Sequence, residues 1–113
     1  MIAPNISRRF TTAVILLSAV LWFGMLGQRD LFDPDEGRYA GIPAAMVETG
    51  DWLTPRLNDF KYFEKPVLQY WGTAAIFSVF GKSNTTARLW TALTGFATAL
   101  FAMLVAFRLY GQR

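Results

Sequence analysis

Three stretches of this 113-residue chain carry no charge: Phe10–Gly27, Pro66–Gly81 and Leu89–Phe107, of 18, 16 and 19 residues. A helix that crosses a bilayer needs about 17–25 mostly apolar residues. The first and third runs are long enough, and the second becomes so if Lys65 and Lys82 lay their stems along the helix ends. Trp22, Phe23, Tyr70, Trp71, Trp90 and Tyr110 fall near the run ends, where an aromatic belt places them. Helices of a soluble bundle normally keep a polar face, and these show almost none. The pattern predicts an all-α membrane protein with three transmembrane helices: helix 10–27, loop 28–65, helix 66–81, a turn at 82–88 and helix 89–107. A secretory leader is the competing reading of the first run. Its h-region would span only about 7–15 residues and end at an A-x-A-like site, and neither is found here.

Charge supports the same division. All eight acidic residues lie between Asp30 and Glu64, and the segment from Arg29 to Lys65 nets −3. The remaining basic residues, Arg8, Arg9, Lys82, Arg88, Arg108 and Arg113, punctuate apolar runs. They do not gather into the one-faced stripe that nucleic acid requires, so that partner is rejected despite the net charge of +3. Arg8 and Arg9 place the N-terminus in the cytoplasm by the positive-inside rule. Loop 28–65 is then periplasmic, the turn 82–88 cytoplasmic and Arg113 periplasmic, in a multi-pass bacterial inner-membrane protein surrounded by membrane lipids. Thr91, Gly95 and Ala99 have the small-xxx-small spacing that lets another helix approach closely.

The chain has no cysteine and no histidine. That excludes disulfides, thiolate nucleophiles, zinc fingers, serine–histidine triads and histidine switches. Acid–base chemistry is left to Asp, Glu, Lys or Tyr, and any metal site to oxygen ligands.

Within LFDPDEGRYAGIPAAMVETGDW, Asp33 and Glu36 have capping-box spacing, and Pro34 suits a first helical position. Tyr39, Ile42, Met46 and Val47 recur at helical spacing, and Gly50 offers a stop. The spacing predicts an amphipathic surface helix from about Pro34 to Thr49, kinked at Pro43. Asp35 and Arg38 are neighbours on one face of it. Glu64 and Lys65 precede Pro66, which fits the first turn of the second apolar helix. A helix N-terminus and a lysine together seat a phosphate at headgroup level, and Glu64 orients the lysine or offers one oxygen to a divalent metal. Each constellation alone also reads as ordinary surface: a solvated ion pair, or an interfacial lysine anchor. Together they place a carboxylate, a guanidinium and an ammonium at one membrane face, which suits a reaction on a lipid-linked phosphate.

The blocks Asp35-Glu36-Gly37-Arg38-Tyr39-Ala40, Thr49-Gly50-Asp51-Trp52 and Tyr62-Phe63-Glu64-Lys65-Pro66 stand in order. They resemble the pattern DE-x-RYAE, SGDW and YFEKP of the bacterial aminoarabinose transferases (the lipid A-modifying ArnT type), kin of the protein O-mannosyltransferases. The resemblance spans essentially the whole chain, including FGKSNTTAR. It implies the N-terminal part of a C-type glycosyltransferase bundle, with amphipathic surface helices in the first periplasmic loop. The implied reaction moves a sugar, 4-amino-4-deoxy-L-arabinose in that family, from an undecaprenyl-phosphate donor to lipid A or another periplasmic glycan acceptor. On this resemblance Asp35 matches the catalytic carboxylate, Arg38 and Lys65 match positions gripping the donor phosphate, and Glu64 matches an acidic position of the same pocket, with Glu36 and Tyr39 in support. Two positions depart from the pattern: Gly41 stands where members usually carry Glu, and Pro43 interrupts the loop helix. Members are several times longer, so the chain is expected to be an N-terminal piece, inactive without the C-terminal part. The alternative is a non-catalytic small membrane protein that binds anionic lipid or pairs with a full-length transferase.

Overall fold

The computed structural model describes residues 8–111, so the expected periplasmic placement of Arg113 lies outside the described residues. The elements are α1 (Arg8–Gly24), α2 (Asp35–Thr49), β1 (Arg56–Leu57), β2 (Phe60–Lys61), α3 (Leu68–Phe80) and α4 (Asn84–Tyr110). The chain divides into two compact units. One joins α1, as far as Met25, to the chain from Thr91 onward; the other runs from Leu26 to Trp90.

In the first unit apolar side chains face outward. Leu16, Val20, Phe101 and Leu109 are all more than half exposed, and α1 has no buried residue. The 27 residues of α4 are long and apolar enough to cross a membrane, spanning about 40 Å at 1.5 Å per residue. Near its C-terminal end α1 meets α4 through aromatic rings. The indole Nε1 of Trp22 donates to the carbonyl of Ala92 at 3.0 Å, and Phe23 meets Phe96 edge-on with centroids 5.3 Å apart. Gly95 belongs to the small-residue stripe of the sequence, and what it seats is this indole: a Cβ there would lie 3.3 Å from the Trp22 ring.

The second unit is built on α2 against α3. Ile42 and Met46 of α2 close on Tyr70 and Ala74 of α3, flanked by Val47, Trp52, Leu57 and Tyr62. The helical spacing read from Tyr39 to Val47 therefore does mark the packed face. Gly50 ends α2 in the left-handed conformation at φ 72°, its N–H bonded to the Met46 carbonyl at 3.0 Å. Pro43 is buried within the helix. The start of α2 differs from the expected capping box. Pro34 is the N-cap, without a side-chain bond, and it follows a cis peptide from Asp33. It is Glu36 that reaches back, accepting the N–H of Phe32 at 2.7 Å.

The elements differ from the sequence reading at three places. The loop is not purely helical: β1 and β2 form an antiparallel hairpin pairing Arg56 with Lys61 and Leu57 with Phe60. Its turn residues, Asn58 and Asp59, both have positive φ, which their short polar side chains tolerate. The expected crossing helix 66–81 is the 13-residue α3, about 20 Å long against a hydrocarbon core of about 30 Å, with Tyr70, Thr73, Ala74 and Phe77 buried. Third, residues 82–88, expected as a turn apart from loop 28–65, lie against that loop. Lys82 pairs with Glu48, and Asn84 Nδ2 donates to Asp30 at 3.1 Å. The helix expected from residue 89 begins at Asn84. Ser83 and Thr86 exchange reciprocal bonds, Ser83 N–H to Thr86 Oγ1 at 2.8 Å and Thr86 N–H to Ser83 Oγ at 3.1 Å, a capping box that starts the helix.

Candidate functional site

The first turn of α2 carries Asp35 and Arg38 three residues apart, so their side chains lie side by side. Arg38 donates through Nη2 to Asp35 Oδ1, through Nε to the Pro34 carbonyl at 3.3 Å and through Nη1 to the Tyr62 hydroxyl at 3.1 Å. Tyr62 in turn donates to Glu64 Oε2. A continuous polar chain, Asp35–Arg38–Tyr62–Glu64, thus joins two of the three sequence blocks. The hairpin makes this possible: it brings the chain back so that the N–H of Tyr62 bonds the Pro55 carbonyl at 2.8 Å, with the Tyr62 ring against the α2–α3 core.

The electrostatics follow the bonds. Arg38 is held above its ordinary value, first by the bond to Asp35. The Tyr62 hydroxyl is raised, first by its bond to Glu64, so it stays protonated and able to bridge. Asp51, in the second block, is lowered chiefly by the backbone N–H of Thr54. Its carboxylate also accepts the N–H of Leu53 at 3.2 Å and so shapes the turn into the hairpin.

The other predicted site residues divide. Glu64 is exposed and joins the chain through Tyr62. Lys65 is exposed and takes part in none of these bonds. It lies three residues ahead of the start of α3, so Pro66 is not in that helix's first turn. Tyr39 stacks obliquely on Tyr70, centroids 5.9 Å apart. Glu36 turns away, and its carboxylate is gripped by Arg88, with Nε to Oε1 at 3.0 Å and Nη2 to Oε2 at 2.9 Å. That grip is the first cause of its low value, about 2 against an ordinary 4.5. No three acidic residues gather as a metal group among the described residues, and Glu64, the one oxygen ligand offered by the sequence, is bonded to Tyr62. Gly41 has open space for a side chain, with only the Leu57 methyl 3.8 Å from where a Cβ would lie.

Two residues escape the sequence reading. Tyr62 stands in a quoted block, but nothing in its spacing reveals that a hairpin will carry it to Arg38. Arg88 reads as helix-end punctuation until the Ser83–Thr86 box places it inside α4.

No protein-family model matches the chain. It is 42% identical over 96 residues to the undecaprenyl phosphate-alpha-4-amino-4-deoxy-L-arabinose arabinosyl transferase of Shewanella sediminis, covering 83% of this chain and 18% of that protein. The protein of the same name from Pseudomonas aeruginosa is 38% identical over 105 residues, 92% of this chain and 19% of that one. Among solved structures, ArnT from Cupriavidus metallidurans in the apo state superposes with a TM-score of 0.86 at 40% identity, covering 93% of this chain and 20% of that one. The same protein bound to undecaprenyl phosphate gives 0.83 at 39% identity, over 90% and 19%. In sequence and in backbone alike, the chain is a partial-length relative of the ArnT-type aminoarabinose transferases, spanning about a fifth of the length of the proteins it matches.

Proposed function

We propose that this chain carries the donor-phosphate side of a membrane glycosyltransferase site. Its donor is an undecaprenyl-phosphate-linked sugar, 4-amino-4-deoxy-L-arabinose by kinship, and its acceptor is lipid A or a related periplasmic glycan. The observation that carries this reading is Arg38, held between Asp35 and Tyr62 in a chain similar to a protein solved with undecaprenyl phosphate.

The chemistry follows from the groups. As the glycosidic bond to the phosphate breaks, charge grows on the leaving phosphate. A fixed guanidinium stabilises that charge without having to reorganise. Tyr62 and Asp35 hold Arg38 in place, and the exposed ammonium of Lys65 supplies a second cation. Asp35 is the group to accept the proton of a hydroxyl acceptor. With a phosphate acceptor, already ionised, it orients and stabilises instead. Glu36 and Tyr39 serve the scaffold. The full reaction draws on parts of the relatives that this chain does not span, so the 113 residues alone are not expected to transfer sugar.

The same reading gives a two-crossing topology, outward through α1 and back through α4, with the α2–hairpin–α3 segment at the periplasmic face of the inner membrane. It returns Arg108 to the side of Arg8 and Arg9, as the positive-inside rule favours. The test is binding of undecaprenyl phosphate to the chain in lipid nanodiscs. Saturable binding that Arg38→Ala weakens supports the site, and equal binding by the two proteins refutes it.

A further inference from the structure

Arg88 uses its whole guanidinium. Besides the fork to Glu36, Nη1 donates to the carbonyls of Leu26 at 2.6 Å and Arg29 at 2.9 Å, and Nη2 donates to that of Asp30 at 2.9 Å. Five donor directions meet five acceptor contacts, the full inventory of an arginine. Only 13% of the side chain is exposed. The Glu36 carboxylate is equally committed, to Arg88, to the N–H of Phe32 at 2.7 Å and to Arg29 at 3.3 Å. Glu36 lies between Asp35 and Arg38 in the first turn of α2, a turn whose N-cap provides no side-chain bond of its own.

We propose that Arg88 is a positioning residue for the Asp35–Arg38 pair: by clamping Glu36 and the Leu26–Asp30 connector, it fixes the turn of α2 from which both side chains project. This rests on the reading of Asp35 and Arg38 as phosphate-site groups. Lysine cannot replace it, because an ammonium offers three donors from one point and cannot span a carboxylate and three carbonyls. Replacing either member of the clamp frees the start of α2 to rotate or fray, and the guanidinium of Arg38 loses its fixed direction.

The experiment compares wild type, Arg88→Lys, Glu36→Gln and Lys82→Ala, each full chain ¹⁵N-labelled in nanodiscs. It reads the Arg38 Nε–Hε signal and the affinity for undecaprenyl phosphate. Arg88→Lys is expected to move or broaden the Arg38 signal and weaken binding about tenfold, the scale of one charge-assisted hydrogen bond. Lys82→Ala loses an exposed pair in the same unit and is expected to change neither. An unmoved Arg38 signal overturns the proposal, as does a moved signal with unchanged affinity in a chain that binds. If Arg88→Lys does not fold, Glu36→Gln decides by the same readings. If wild type does not bind undecaprenyl phosphate, the site reading fails by itself, and the Arg38 signal alone decides the positioning role.

Discussion

Arg88 and Glu36, 52 residues apart in the chain, meet in a two-point fork with contacts of 3.0 and 2.9 Å. The fork ties the first turns of α4 to the first turn of α2 inside the Leu26–Trp90 unit. It also sets two adjacent carboxylates apart: Glu36 is gripped by Arg88, while Asp35 has 72% of its side chain exposed.

That division has a pH signature. The Arg88 bond, the Phe32 N–H and the nearby guanidinium charges lower the folded Glu36 carboxyl from 4.5 to about 2. A depressed folded value contributes stability that is complete above 4.5 and is lost as pH falls from 4.5 towards 2. The amide signal of Phe32, which Glu36 accepts, is expected to stay constant from pH 7 to about 5 and to shift on further acidification. Glu36→Gln is expected to remove that shift, because no proton is then taken up at this position.

The polar chain makes graded predictions. Arg38→Ala is expected to weaken undecaprenyl phosphate binding by about tenfold to a hundredfold, since a hydrogen bond to a charged group is worth about 1.5–3 kcal/mol. Tyr62→Phe keeps the ring in the core and removes only the bridging hydroxyl, which acts on the ligand through Arg38, so a loss of about threefold to tenfold is expected, less than that of a direct bond to a charged group. Asp35→Asn is expected to leave phosphate binding within about threefold, an effect below 1 kcal/mol. In a longer protein that carries out transfer, it is expected to abolish turnover. Titration of the three variants with undecaprenyl phosphate ranks them, and a Tyr62→Phe loss as large as that of Arg38→Ala would mean the hydroxyl itself touches the ligand.

The α2–α3 core sets the stability of the unit. Ile42 is fully buried, and Met46 and Tyr70 are nearly so. Ile42→Ala is expected to cost about 2–5 kcal/mol through lost burial and a residual cavity. Leu53→Ala, at an 81% exposed position of the same unit, is expected to change stability by less than about 0.5 kcal/mol. Hydrogen exchange of the α2 amides in nanodiscs reads both, and equal protection in the two variants would contradict the packing described.

Sequence alone disclosed local placements more fully than the path of the chain. Local rules sufficed for the Asp35–Arg38 neighbourhood, the apolar face through Ile42 and Met46, and the stop at Gly50, because each depends on spacing within one helix. Tyr62 and Arg88 were out of reach for a different reason. Their partners lie 24 and 52 residues away, and only a hairpin turn at Asn58–Asp59 and a helix capped at Ser83 bring them home. The charge-free run at residues 66–81 does not say by itself what surrounds it, because apolar composition suits a helix packed on another helix as well as one in lipid. Tyr70 and Ala74 of that run pack against Ile42 and Met46 of α2.

That distinction fixes the last prediction. The chain contains no cysteine, so each introduced thiol is the only one present. With two crossings, Leu53→Cys and Lys82→Cys both lie on the periplasmic side, and an impermeant maleimide added from outside is expected to label both. Tyr110→Cys, at the end of α4, is expected to react only after the membrane is permeabilised. Lys82 is the deciding position, because a third crossing would carry it to the cytoplasm while leaving Leu53 outside. Its substitution removes only the partly exposed pair with Glu48, worth about 1 kcal/mol or less, so the fold reports its own topology. Labelling of Leu53→Cys without Lys82→Cys would restore the three-crossing arrangement, and the bonds from Asn84 and Arg88 to the loop could not then exist.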